Sequence, residues 1–135
     1  MSYPITDLDG IDPDKALSFR RAGIRTTARL LEAAKDVKGR KALAAKTGLS
    51  EQDILRWANM ADHMRIKGLG KDYAELLHAA GVKTVRDLKY RNAERLASAI
   101  AEANKARRRL KVLPSEKAVD RWIAQARMLD IKISY

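Results

Sequence analysis

The sequence contains no cysteine, which excludes disulfides and any metal site built on thiolates. Its two histidines, His63 and His78, have no carboxylate or second histidine at metal-ligand spacing, so no metal centre is expected. No apolar run approaches the ~18 residues that a membrane-spanning helix needs, and the N-terminus lacks the apolar stretch of a signal peptide. The chain is therefore expected to be soluble and cytoplasmic, with no membrane partner. No Ser/His/Asp or Cys/His set can be assembled, and no carboxylate pair stands in an apolar setting. Neither an enzyme nor a small-molecule substrate is expected.

Positive charge is what the chain has in excess. Lys and Arg number 28 against 17 Asp and Glu, a formal charge of +11 on 135 residues. A balance that basic on a small chain points to polyanionic partners, nucleic acid or an anionic surface; the alternative is solubility alone. The hydrophobic fraction of 46% is enough for a core, so wholesale disorder is not expected. The length fits one domain, or two small units sharing a core.

The chain is internally duplicated. A shift of 58 places, without a gap, puts Gly10 on Gly68, Asp14 on Asp72, Ala16 on Ala74, Gly23 on Gly81, Thr26 on Thr84 and Leu30 on Leu88. A shift of 65 puts Ser50-Glu51 on Ser115-Glu116, Arg56-Trp57 on Arg121-Trp122 and Ala61 on Ala126. The second copy thus carries about seven extra residues in its middle. The units are expected over 1–65 and 66–135, packed together as one compact domain.

Both copies read as helices. Asp12-Pro13 is an N-cap with proline at the first helical position, and Gly23 stands where a terminating glycine belongs. Thr26, Ser50, Thr84, Asn92 and Ser115 are placed to cap further helices, the one after Asn92 running to near Leu110. Ile54, Trp57, Ala58, Ala61 and Met64 form one apolar face at three- and four-residue spacing, and Val119, Trp122, Ile123, Ala126 and Leu129 repeat it. Both tryptophans lie on these stripes, which assigns them to the core rather than to base stacking. The tail from Ile131 to Tyr135 has strand-like residues but is too short to assign. The predicted fold is all-α with roughly eight helices.

The strongest functional signal is Ile66-Lys67-Gly68-Leu69-Gly70-Lys71. One helix ends, two glycines make a tight loop around an apolar residue, and another helix opens at once. An opening helix presents free N–H groups and partial positive charge, a ready anion site, and Lys67 and Lys71 flank it. A dinucleotide fingerprint would need glycine where Tyr73 stands, and a Walker loop would need Ser or Thr where Asp72 stands. The pattern is that of a helix-hairpin-helix phosphate-binding motif, which contacts backbone and reads no base identity. The other reading is a packing device that lets two helices cross closely. In the first copy Asp9 replaces Lys67 and Asp12 replaces Gly70, so Leu8–Asp12 reads as a structural loop. The turns at Gly23–Thr26 and Gly81–Thr84 project Arg25 and Lys83, either as phosphate contacts or as solvated turn residues. Lys105, Arg107, Arg108, Arg109 and Lys111 form the densest charge run, a basic patch or a solvated helix end.

The segments GIDPDKALSFRRAGIRTTARLLE, TGLSEQDILRWANMADHMRIKGLGKDYAELLHAAGVKTVRDL and LPSEKAVDRWIAQA carry a resemblance. With them, nearly the whole chain resembles an uncharacterised bacterial family of tandem helix-hairpin-helix domains of unknown function. Helix-hairpin-helix proteins at large bind DNA phosphates through hairpin amides, and some hold a monovalent cation on hairpin carbonyls. By position the resemblance implicates Gly68, Leu69, Gly70 and Lys71, and a monovalent cation at Gly68–Gly70; no other cofactor is implied. The expected function is non-catalytic, sequence-independent binding of nucleic acid, duplex DNA before RNA. The alternative is a protein-interaction or scaffold domain whose hairpins serve packing only.

Overall fold

The computed structural model describes residues 2–135. A 3-10 turn, Ile5–Asp7, leads into eight α-helices: α1 (Pro13–Arg21), α2 (Thr27–Ala33), α3 (Val37–Thr47), α4 (Glu51–His63), α5 (Lys71–Ala79), α6 (Val85–Lys89), α7 (Ala93–Arg107) and α8 (Glu116–Met128). The chain is all-α, and among the described residues the sole extended pairing is a bridge between Pro4 and Thr26. Among the described residues no helix is long and apolar enough to cross a membrane.

Capping explains where the helices begin. Asp12, Thr26, Asp36, Ser50, Thr84, Asn92 and Ser115 each accept a hydrogen bond from the amide three residues on, a contribution of about 1 kcal/mol each. Six of these caps are legible in the sequence; Asp36 is the addition. Among the α-helices of the described residues, only α5 opens without one, because Gly70 at its N-cap position has no side chain to accept.

The order of α1–α4 is repeated in α5–α8, with Thr26 and Thr84, and Ser50 and Ser115, at corresponding starts. Helix α4 is the centre: it packs against α2 and α3 of its own half and α5 and α6 of the other. Its stripe of Ile54, Trp57, Ala58 and Ala61 is buried, as is the matching stripe Val119, Trp122, Ile123 and Ala126 of α8. One continuous apolar core takes residues from both halves.

Both ends of the described chain are tied to the first half. Ile5 N–H donates to Arg25 O at 2.9 Å and Thr27 N–H to Tyr3 O at 2.8 Å. The strand-like tail makes no sheet. Instead Ser134 N–H donates to Lys35 O at 2.8 Å, and the Tyr135 hydroxyl donates to Asn59 Oδ1 at 2.7 Å. The buried Arg40 guanidinium bridges Ala34 O at 2.9 Å and Ser134 O at 2.8 Å.

Helix α7 stops short of the expected end near Leu110. Arg108 takes a left-handed conformation (φ 51°). The Asn104 carboxamide oxygen then accepts from the amides of Arg109 and Leu110, both at 2.9 Å. The basic run is therefore half helix and half loop.

Candidate functional site

In the Ile66–Lys71 turn the buried Leu69 pins the loop to the core, and its amide donates to Ile66 O at 3.1 Å. The two glycines do different things. Gly68 has φ +83°, a conformation that favours glycine. Gly70 has φ −90° and ψ −165°, open to any residue, and a Cβ built on it would meet no atom within 4 Å. Neither backbone strain nor packing requires glycine at position 70.

Its absence of a side chain leaves the start of α5 bare. Among the described residues, the amides of Gly68, Gly70 and Lys71 have no protein acceptor. Lys67 and Lys71 are exposed on either side. The loop is held from behind by Gln125, whose side chain accepts from Lys67 N–H at 3.0 Å and donates to Lys67 O at 3.3 Å. The carbonyls of Ile66 and Lys67, just before the Gly68–Gly70 hairpin, accept hydrogen bonds from Leu69 and Gln125.

The first-copy loop is closed where the second is open. The Asp12 carboxylate takes the Lys15 amide at 2.9 Å and its ammonium at 3.1 Å. The Trp57 indole donates to Asp9 O at 2.8 Å, fastening the loop to α4. Trp57 and Trp122 are both buried, and Trp122 packs on Tyr73 with ring centroids 4.8 Å apart.

The structure divides the basic run. Arg108 and Lys111 are exposed, and Lys105 is exposed with Glu102 at 3.1 Å. Arg107 and Arg109 instead turn onto α5 and the first-copy loop. Arg107 binds Glu75 at 2.7 Å; Arg109 binds Asp9 and lies 3.6 Å from the second Glu75 oxygen. Glu75 is 4% exposed, a buried carboxylate that anchors the run. Asp9, where the second copy has Lys67, is a clasp for Arg109. Beside this clasp lies a polar groove of about 470 Å³, lined by Asp7, Asp9, Lys71, Asp72, Glu75 and Arg109.

Lys83 is exposed on the turn that Gly81 (φ +91°) makes possible. His78 on α5 is half-buried. Burial lowers the His78 pKa first, and the neighbouring cations Arg56, Lys83 and Arg107 lower it further, with Asp9 opposing. His63, by contrast, is wholly buried, with neither ring nitrogen hydrogen-bonded, and burial takes its pKa down to about 4.

No curated protein and no solved structure matches the chain. A family model described as DUF4332, a domain of unknown function, matches residues 9–129. The chain, with its bare α5 start and anchored basic run, belongs to the DUF4332 family.

Proposed function

We propose that this protein is a non-catalytic nucleic-acid-binding module that captures backbone phosphates, of duplex DNA before RNA, at a helix-hairpin-helix turn over Ile66–Lys71. The observation that carries this reading is Gly70. Seven helices use a side chain to occupy their first amides, and α5 alone leaves them open at a position where any residue would fit. Open amides, the positive end of a nine-residue helix and the exposed Lys67 and Lys71 combine into an anion site. Arg108, Lys105 and Lys111 extend the footprint, while the anchored Arg107 and Arg109 present fixed rather than mobile charge. None of these groups reads base edges, so binding is sequence-independent.

Titration of labelled random-sequence duplex DNA at several salt concentrations tests it. Neutralising four to six phosphates gives a log-log salt slope of roughly −4 to −5. A duplex RNA arm tests the preference for DNA, and no binding of either at low salt overturns the reading. One feature favours a protein-interaction role instead. A cleft of about 100 Å³ between α6, α8 and the tail is lined by Val85, Leu129, Ile131 and Ile133 together with charged residues such as Arg86 and Lys89, and Ile131 and its sequence neighbour Met128 are exposed.

A further inference from the structure

The extra residues of the second copy make a loop that helix closure does not require. In the first copy two residues, Gly48 and Leu49, join α3 to the Ser50 cap of α4, and Leu49 packs against the core. In the second copy seven residues, 108–114, join α7 to the Ser115 cap of α8. The shorter link shows that the equivalent pair of helices closes without them.

The longer loop is nonetheless firmly built. Among the described residues Arg108 is the sole non-glycine with positive φ, 51°, and a left-handed arginine persists only where its surroundings hold it. Asn104 holds it: Oδ1 accepts from the amides of Arg109 and Leu110, both at 2.9 Å, and Nδ2 donates to Leu110 O at 3.0 Å. Arg109 is clasped by Asp9, and Leu110 packs against the core. At the other end the Ser115 hydroxyl accepts from the Ala118 amide at 3.1 Å. Between these anchors the tip stands in solvent with two apolar side chains on it: Val112 is 80% exposed and Leu113 45%.

The surroundings of the tip are cationic. No Asp or Glu stands between Glu102 and Glu116, while Lys105, Arg108, Lys111 and Lys117 are exposed. That charge complements a polyanion. The tip also stands near the hairpin. Arg109 Nε lies 3.6 Å from Glu75, which is one turn, about 6 Å, along α5 from Lys71, and Lys71 and Arg109 line one groove. Val112 is three residues on from Arg109, at most about 10 Å of extended chain. A duplex minor groove is ~6 Å wide, so a phosphate on the α5 amides leaves the tip within reach of the groove that this phosphate borders.

We propose that Val112 and Leu113 form an apolar wedge that enters the minor groove of a bound duplex and partly unstacks a base step, while Arg108 and Lys111 hold the phosphates on its rims. The wedge rests on the nucleic-acid reading above. Inserting between base steps takes two exposed apolar side chains out of water and kinks the duplex towards the protein. No base edge is read, but steps that unstack easily, TA and CA/TG, are favoured over stiff A-tracts.

The test uses the full chain and two duplexes of equal length. One has a central TA step carrying a fluorescent adenine analogue that brightens on unstacking; the other is a continuous A-tract. Energy transfer between end labels reads the bend. The wild-type protein is expected to brighten the analogue, bring the duplex ends closer and bind the TA duplex severalfold tighter than the A-tract. Val112→Ser combined with Leu113→Ser, both at exposed positions, is expected to melt as wild type does and keep the salt slope, but to lose brightening, bend and preference together. A wild-type protein that binds with the expected salt slope yet leaves the analogue dark overturns the wedge alone, as does a double variant that still brightens and bends the duplex. Absence of duplex binding at low salt overturns the wedge together with the nucleic-acid reading. Co-sedimentation with phosphatidylserine vesicles tests the rival partner: vesicle binding that the double variant loses, with the analogue dark throughout, assigns the tip to an anionic membrane surface and overturns the wedge.

Discussion

Replacing Gly70 by serine should make this protein more stable and less able to bind nucleic acid. The backbone at position 70 is already extended, and a side chain there meets nothing within 4 Å. A serine hydroxyl can therefore accept the amide of Tyr73, as Asp12 accepts the amide of Lys15 in the first copy. Glycine is only a few tenths of a kcal/mol worse than serine as a cap, and removing glycine's freedom from the unfolded chain adds about 0.4–1 kcal/mol. The sum is about 1 kcal/mol of stabilisation. At ~2.1 cal/mol/K per residue for 135 residues, that raises Tm by about 3–4 °C. The same hydroxyl sits over the amides a phosphate needs, so duplex affinity should fall severalfold at fixed salt. Gly70→Asp adds charge repulsion and should bind more weakly still. Gly68→Ala is the contrasting control, since its φ of +83° makes any side chain cost about 1–2 kcal/mol. Thermal unfolding by circular dichroism and duplex titration read the two effects separately. A Gly70→Ser protein that melts lower than wild type, or binds DNA equally well, refutes the reasoning.

Three further outcomes follow from the same geometry. Asp9→Asn removes the carboxylate that clasps Arg109 while leaving the backbone carbonyl that holds Trp57; duplex affinity should rise severalfold at low salt, with a change in Tm of no more than ~2 °C because the pair is partly exposed. Glu75→Ala leaves Arg107 without its buried partner; since Arg107 is half-exposed and can turn to water, urea unfolding should show a loss of about 1–2 kcal/mol rather than the 3–5 of a fully buried pair. His63 has a folded pKa of about 4 against 6.5 unfolded, so the unfolded chain binds the proton first. Its contribution is complete above about pH 6.5 and is lost as pH falls toward 4. Urea unfolding should show about 2 kcal/mol less stability at pH 5 than at pH 7, with half-buried His78 adding in the same direction, and His63→Leu should remove most of that dependence.

What could be read from the sequence was what is local. Asp12, Thr26, Ser50, Thr84, Asn92 and Ser115 act on amides three residues away, so their identity and place sufficed to mark helix starts. The Trp57 and Trp122 stripes were legible because helical periodicity places them on one face. The anchoring of the basic run was not, because Arg107 meets Glu75 across 32 positions and Arg109 meets Asp9 across 100. Periodicity says which face a residue shares, not which distant residue it meets. Glu75 left one faint sign: it lies among Ala74, Leu76 and Leu77 where the first copy has Leu17. The early end of α7 turned on Asn104, whose side chain bonds loop amides that helical continuation would have pointed elsewhere. The conformational reason for two glycines holds only at Gly68, which has positive φ; Gly70 lies in extended backbone.

The tail's return to the first half bears on how the chain is made. Ser134 and Lys35 are 99 positions apart, so at ~5–20 residues per second of synthesis the first half waits about 5–20 s for its partner. Until then the Arg40 guanidinium lacks the Ser134 carbonyl, and Asn59 lacks the Tyr135 hydroxyl. The first half cannot complete its native bonds in order of emergence. Its final closure is deferred until the second half has been delivered, which links the two repeats in time as well as in space.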